Sequence, residues 1–161
     1  MVALMYGARQ RIAITTLYSI PDEPFLQAMR AAVQRGIEVH LVVSHQSNRL
    51  LVNLAQKSYY DELLDAGVRI HLYEGRFLHA KHLSIDDCVA MIGSSNMDIR
   101  AFALNSEVSV LIYDSSVVAR LRQVQERYFA KSHLLSQEEW DRRPLWAQFA
   151  QNIARLADSF L

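Results

Sequence analysis

Histidine and lysine stand two residues apart at His79 and Lys81, in the run His79-Ala80-Lys81-His82-Leu83-Ser84-Ile85-Asp86. An imidazole serves as nucleophile or proton carrier near neutral pH. An ammonium places fixed positive charge where phosphate oxygens gather charge in a transition state. If the run is a strand, residues two apart share a face, with α-carbons about 7 Å apart. Asp86 has the opposite parity and falls at a turn. It is expected to hold the strand end through an Asx-type turn or an ion pair. Alone, a His-x-Lys pair also fits a strand with a solvated edge.

Two further groups follow. Gly93-Ser94-Ser95-Asn96 comes directly after the apolar run Val89 to Ile92. A glycine, two hydroxyls and an amide can donate several hydrogen bonds to an oxyanion, although the same residues also dominate plain turns. Asn105-Ser106-Glu107 then leads into another apolar run. A carboxylate beside a histidine strand could orient the imidazole and stabilise its cation. A surface glutamate at a strand start is the plainer alternative.

The elements that must position these groups read as α/β. Arg11 to Leu17 is an expected strand. Pro21 ends it, Asp22 caps the next helix, and Glu23 and Pro24 suit a first turn. Gly36 stops that helix, and Ile37 to Val43 is a second strand. Short connections of this β-α-β kind imply a parallel pair with a right-handed crossover. A helical region from about Asn48 to Ala66 ends at Gly67, and Val68 to Tyr73 repeats the unit. Three more strands are expected at about Leu78 to Ile85, Val89 to Ile92 and Glu107 to Tyr113, with Asp86-Asp87 as a tight turn. From Ser115 the chain reads as helical, with a last helix from about Pro144 to Phe160. The expectation is a mixed sheet flanked by helices, in one domain over 1–161 with a helical tail from about 115.

Composition is that of an ordinary globular chain: 161 residues, 51% hydrophobic and 21% charged. Lys plus Arg equals Asp plus Glu at 17 each. Phosphate-backbone binding usually leaves a basic excess, so nucleic acid is a disfavoured partner. The single cysteine, Cys88, forms neither an internal disulfide nor a thiolate metal cluster, and its apolar neighbourhood predicts a buried, inert thiol. No apolar stretch approaches the roughly 18 residues of a membrane span. The first seven residues lack the charged region of a signal peptide. The chain opens almost directly into a strand, as a fragment of something longer would.

Taken together, His79-x-Lys81-x4-Asp86, Gly93-Ser94-x-Asn96 and Glu107 resemble the phospholipase D superfamily signature. Nearly the whole chain is similar to the carboxy-terminal half of bacterial cardiolipin synthases. The similarity includes Tyr18-Ser19-Ile20-Pro21-Asp22, Ala31 to Val39, Tyr59-Tyr60-Asp61-Glu62-Leu63-Leu64 with Ala66-Gly67-Val68, Phe77 to Lys81, and Asn96-Met97-Asp98-Ile99-Arg100. Departures are Asp86-Asp87 where many relatives have Asp-Gly, and Arg100-Ala101-Phe102 where Arg-Ser-Phe is common.

The resemblance implies a phospholipase D-like fold. It makes His79 the phosphatidyl-accepting nucleophile or the general acid. Lys81 and Asn96 would bind phosphoryl oxygens with help from Ser94, and Glu107 would hold His79 in its working tautomer. Asp86 belongs to the motif but is mainly structural. No cofactor or metal is implied, because lysines and amides supply the positive field. The family uses two such motifs, whereas His40, His45, His71, His82 and His133 are not followed two residues on by lysine. A second half-site is therefore required, in cis from a longer chain or by homodimerisation.

The implied reaction passes a phosphatidyl group from one phosphatidylglycerol to another through a phosphohistidine, forming cardiolipin and glycerol. The longer protein would sit at the cell membrane. The alternatives are a homodimeric, metal-independent phosphodiesterase or nuclease of the same superfamily, and a non-catalytic half-domain. Trp146, Phe149, Ile153, Ala157 and Phe160 recur at helical spacing near the end of the chain. Core packing is the expected reading of that stripe, ahead of a lipid-facing helix. Trp140 with Arg142-Arg143-Pro144 fits either a lipid phosphate or a domain cap. His82 is expected to face away from Lys81 and take no part.

Overall fold

A computed structural model describes residues 1–45, 50–75, 78–94, 96–98 and 107–156. The parts of the sequence reading that fall on Asn48, Phe77, Ser95, Ile99 to Ser106, Ala157 and Phe160 lie outside these residues.

The sheet core is the expected one. Strands β1 (Arg11–Thr15), β3 (Glu38–Ser44) and β4 (Arg69–Tyr73) run parallel, with Ile14 opposite Leu41 and Leu41 opposite Ile70. Between β1 and β3 lies helix α2 (Glu23–Gln34), where the Asp22 carboxylate accepts the Phe25 N–H at 3.0 Å. Gly36 follows that helix at φ +82° and Gly67 precedes β4 at φ +90°. Such left-handed positions suit glycine, which has no Cβ to clash. The helical region between β3 and β4 is two helices, α3 (Leu50–Ser58) and α4 (Tyr60–Asp65), with a turn at Tyr59.

Antiparallel strands complete the sheet on both sides. β5 (His82–Ile85) pairs with β1, β6 (Val89–Gly93) with β5, and β8 (Ser109–Ile112) with β6. β9 (Ser132–Leu134) pairs with β4, so the strand order is β8-β6-β5-β1-β3-β4-β9. β9 interrupts a region that reads as helical throughout. It is too short to show a period-2 pattern. Two more two-residue strands, β2 (Ser19–Ile20) and β7 (Met97–Asp98), pair parallel in a separate ribbon.

Alternation across the strands gives the two faces different chemistry. Ile12, Ile14, Leu41, Val43, Ile70, Leu83 and Ile85 join one buried cluster with Phe25, Leu26 and Met29 of α2 and Tyr60 and Leu63 of α4. The other face carries His40, His71, His82 and Ser84 beneath helix α5 (Ser115–Phe129). There Gln125 accepts from Ser84 Oγ at 2.7 Å and donates to the Ala13 carbonyl at 3.1 Å. His40 Nδ1 and His71 Nε2 lie 2.9 Å apart, and both rings pack on Phe129.

Several expectations are corrected. A short helix, α1 (Val2–Tyr6), precedes β1, so the chain does not open into a strand. Its Met5 is wholly buried in the apolar cluster. Cys88 is exposed, because it belongs to the solvent-facing turn between β5 and β6. In helix α7 (Leu145–Leu156), Trp146, Phe149 and Ile153 are 74%, 69% and 52% exposed. That stripe is not core: the face carrying Gln151 and Ala154 is the buried one. Between β9 and α7, the helix α6 (Gln137–Asp141) carries Trp140. The Trp140 indole donates to Asp61 at 2.9 Å, and Arg143 bonds the same carboxylate while stacking on the Trp140 ring. These two residues dock α6 and the turn after it onto the first turn of α4. Among the described residues, no helix is long and apolar enough to cross a membrane.

Candidate functional site

Strand β5 is shorter than the sequence pattern suggests. It begins at His82, and residues 78–81 precede it as irregular backbone. The reason is on β1, which ends at Thr15 opposite His82. Beyond it the Thr16 N–H continues the ladder to β3, at the Val42 carbonyl, but no further β1 residue pairs with β5. The segment before His82 thus loses its β1 partner while the Gly93 N–H still donates to the Lys81 carbonyl at 3.1 Å. In such a segment residues two apart, His79 and Lys81 among them, need not share a face. His79 is exposed, whereas Lys81 is buried at 9% exposure. The Lys81 ammonium bends back to donate to the His79 carbonyl at 3.3 Å. That bond ties the ammonium to the His79 backbone.

Ser94 and Glu107 meet at the β6–β8 junction. The Ser94 hydroxyl donates to the Glu107 carboxylate and accepts the Val108 N–H at 3.2 Å, while the Ser94 N–H donates to the Val108 carbonyl at 3.0 Å. Gly93 makes this approach possible. A Cβ there would stand 2.2 Å from Ser109 Oγ and 2.8 Å from the Val108 carbonyl oxygen. Burial lowers the Lys81 pKa, and the negative charge of Glu107 pulls it back up. Glu107 thus acts on Ser94 by a bond and on Lys81 through its field. The half-buried Asn96 immediately precedes β7, whose pairing with β2 ties this segment to the chain leaving β1. Two-residue strands carry no periodicity, and the sequence offers no signal for that tie.

Asp86 does not join these groups. It lies at the other end of β5, about 16 Å along an extended chain from Lys81. It sits at φ +49°, and its carboxylate accepts the N–H groups of Arg9, Gln10 and Arg11 at 3.0, 2.9 and 2.9 Å. Its role is to hold the entry of β1, by neither an Asx turn nor an ion pair. His82 faces the polar layer under α5, 3.3 Å from Gln125 Nε2, and burial pushes its pKa down to about 4.

The arrangement presents an exposed imidazole, a buried cation and a hydroxyl–carboxylate pair at one edge of a mixed sheet. Such groups can bind an anion and exchange a proton or a covalent bond with it.

The fold is that of the phospholipase D family. The phospholipase D family member Nuc from Salmonella typhimurium superposes with a TM-score of 0.73 at 19% identity, over 84% of this chain and 88% of that one. Phosphatidylserine synthase from Haemophilus influenzae superposes with a TM-score of 0.75 at 17% identity, over 99% of this chain and 42% of that one. The sequence narrows the class. The family described as "Cardiolipin synthase, PLD-like domain" matches residues 1–129. Cardiolipin synthase A of Yersinia pseudotuberculosis and that of Yersinia pestis are each 36% identical over 153 residues, 95% of this chain. The chain belongs to the cardiolipin synthase phospholipase D-like family. It spans 32% of the length of those two relatives.

Proposed function

We propose that this chain supplies one half-site of an enzyme that transfers a phosphatidyl group between two phosphatidylglycerol molecules, yielding cardiolipin and glycerol. The observation that carries the reading is the meeting of Lys81 with His79, and of Ser94 with Glu107, at one sheet edge in a member of this family.

In this reading the imidazole of His79 attacks the phosphorus of the donor lipid, forming an N–P bond. The P–O bond to glycerol breaks, and the leaving oxygen takes a proton from a histidine of the second half-site. The hydroxyl of the acceptor lipid then gives up its proton to that histidine and attacks the phosphohistidine, which restores His79. The roles of the two histidines are interchangeable in this scheme. Lys81, Asn96 and Ser94 bind the phosphoryl oxygens, whose charge rises at the transition state. Glu107 fixes the Ser94 hydroxyl, keeps Lys81 cationic and holds the His79 imidazole. Asp86 supports the sheet.

The second half-site comes from the remainder of a longer chain, as the one-third coverage of the relatives supports. That longer protein works at the membrane that holds its substrate. A homodimeric phosphodiesterase built on this half alone is the second reading, and the near-complete coverage of Nuc favours it. Metal-free cleavage of DNA by the chain would decide for it.

The test is His79→Asn in the full-length protein with phosphatidylglycerol vesicles. Cardiolipin formation and acid-labile labelling of the protein from phosphate-labelled lipid should both vanish. Normal cardiolipin formation by this variant overturns the assignment.

A further inference from the structure

A cavity opens near the same end of the sheet, one strand beyond β1. It measures about 130 Å³, and its lining includes Ser44 and His45 at the end of β3, Asn53 and Lys57 on α3, and Trp140 and Glu139 on α6. One water needs only ~10–15 Å³ of such space, so a polyatomic group fits. Asn53 and Lys57 are four residues apart on α3 and therefore share a face of the helix. Both are half-buried, and neither side chain has a hydrogen-bond or ion-pair partner among the described residues. Burial lowers the Lys57 pKa, a cost that a bound anion would offset. The carboxylate in the lining, Glu139, is 2.6 Å from His133 Nε2 and so already has a partner. A desolvated ammonium beside a free amide is the chemistry of a phosphoryl-oxygen site.

Strand register fixes where this cavity lies. His82, Thr15 and Val42 stand in one row across β5, β1 and β3. Lys81 precedes His82 and Ser44 follows Val42, so both lie beyond that row in the same direction, and β5 and β3 are two strand spacings or about 10 Å apart. The proposed transfer joins two phosphates through one glycerol, so its two lipids must place their phosphates close together.

We propose that the Asn53–Lys57 cavity binds the phosphate of the acceptor phosphodiester, beside the phosphoryl centre at Lys81. This rests on the transfer reading above. The cavity recognises a phosphoryl anion, and its size and amide suit the glycerophosphoryl headgroup of a lipid.

The test uses the full-length protein carrying His79→Asn, so that no transfer confuses binding. Lysine acetylation read residue by residue by mass spectrometry reports Lys57 directly. Glycerophosphoglycerol, inorganic phosphate and glycerol serve as probes. Protection of Lys57 by glycerophosphoglycerol but not by glycerol is expected, and Asn53→Ala should weaken it. Equal protection by inorganic phosphate supports a phosphoryl site and names free phosphate as its occupant. Unchanged Lys57 reactivity with both phosphate probes overturns the proposal. In the otherwise wild-type full-length enzyme, Lys57→Gln should raise the KM for acceptor lipid about tenfold or more, and Lys57→Arg should recover most of that loss. An unaltered KM in Lys57→Gln also overturns it. Failure of the wild-type full-length protein to form cardiolipin from phosphatidylglycerol would instead sink the transfer reading and leave Lys57 protection intact.

Discussion

The Asp86 carboxylate accepts the Arg11 N–H at 2.9 Å, joining the turn after β5 to the first residue of β1. With the bonds from Arg9 and Gln10, one side chain satisfies three successive backbone donors. The family motif thus flanks both ends of β5, with His79 and Lys81 before it and Asp86 after it.

Asp86→Ala should therefore act on stability. It orphans those three N–H groups and places alanine at φ +49°, a conformation that Asn and Asp tolerate better. A loss of about 2–3 kcal/mol is expected. Asp86→Asn keeps an acceptor oxygen and the permissive residue type, and should lose less. Urea denaturation of the two variants checks the order. Negligible losses in both would mean that the carboxylate cradle contributes little.

Gly93→Ala should separate β6 from β8, since its Cβ would collide with Ser109 Oγ and the Val108 carbonyl. Overpacking of this kind costs about 1–3 kcal/mol. Ser109→Gly in the same chain removes only the side-chain clash and should recover part of the loss. Thermal unfolding of the single and double variants measures it. Activity of the full-length enzyme should fall as well, because the Ser94–Glu107 bond depends on the same approach.

Glu107→Gln removes the negative charge that raises the Lys81 pKa. The Lys81 pKa should fall further, because burial then acts alone. Phosphoryl binding needs the ammonium, so activity should be lost at lower pH on the alkaline side than in the wild type. A pH–rate profile of the full-length enzyme tests this. An unmoved alkaline limb would separate Glu107 from Lys81.

Acid should destabilise the layer under α5. Burial pushes His71 and His82 down to about 4 from an ordinary 6.5. The unfolded chain therefore binds more protons between those values, and stability rises with pH across that window. Read in the other direction, the contribution is complete above about 6.5 and is lost as pH falls toward 4. His82→Gln should make the pH dependence of unfolding shallower between pH 4 and 6.5. An identical slope would show that His82 is not protonated on unfolding.

The order of the central strands was legible in the sequence because its signals are local. Asp22 before Glu23-Pro24, glycines at 36 and 67, and short apolar runs between them specify a helix start, two stops and buried strands within a few residues each. The residues of the proposed half-site stand out in the sequence too. His79, Lys81, Ser94, Asn96 and Glu107 are conspicuous by type and spacing, and their likeness to a known family ties them together.

Geometry was a different matter, because it depends on partners remote in the chain. β1 ends at Thr15, and so β5 starts at His82 and leaves His79 and Lys81 off the strand. Periodicity within residues 78–85 cannot show where another strand ends. The apolar stripe of α7 is equally plain in the sequence, but which face is buried depends on the helices it meets. The polar layer of His40, His71 and His82 belongs to three strands and closes only under α5. Sequence determined which groups the proposed half-site draws on and the order of the elements bearing them. Tertiary pairing alone decided that Lys81 is buried, that Glu107 meets Ser94, and that Asp86 holds the N–H groups of Arg9, Gln10 and Arg11, because each of these depends on residues the local chain cannot bring together.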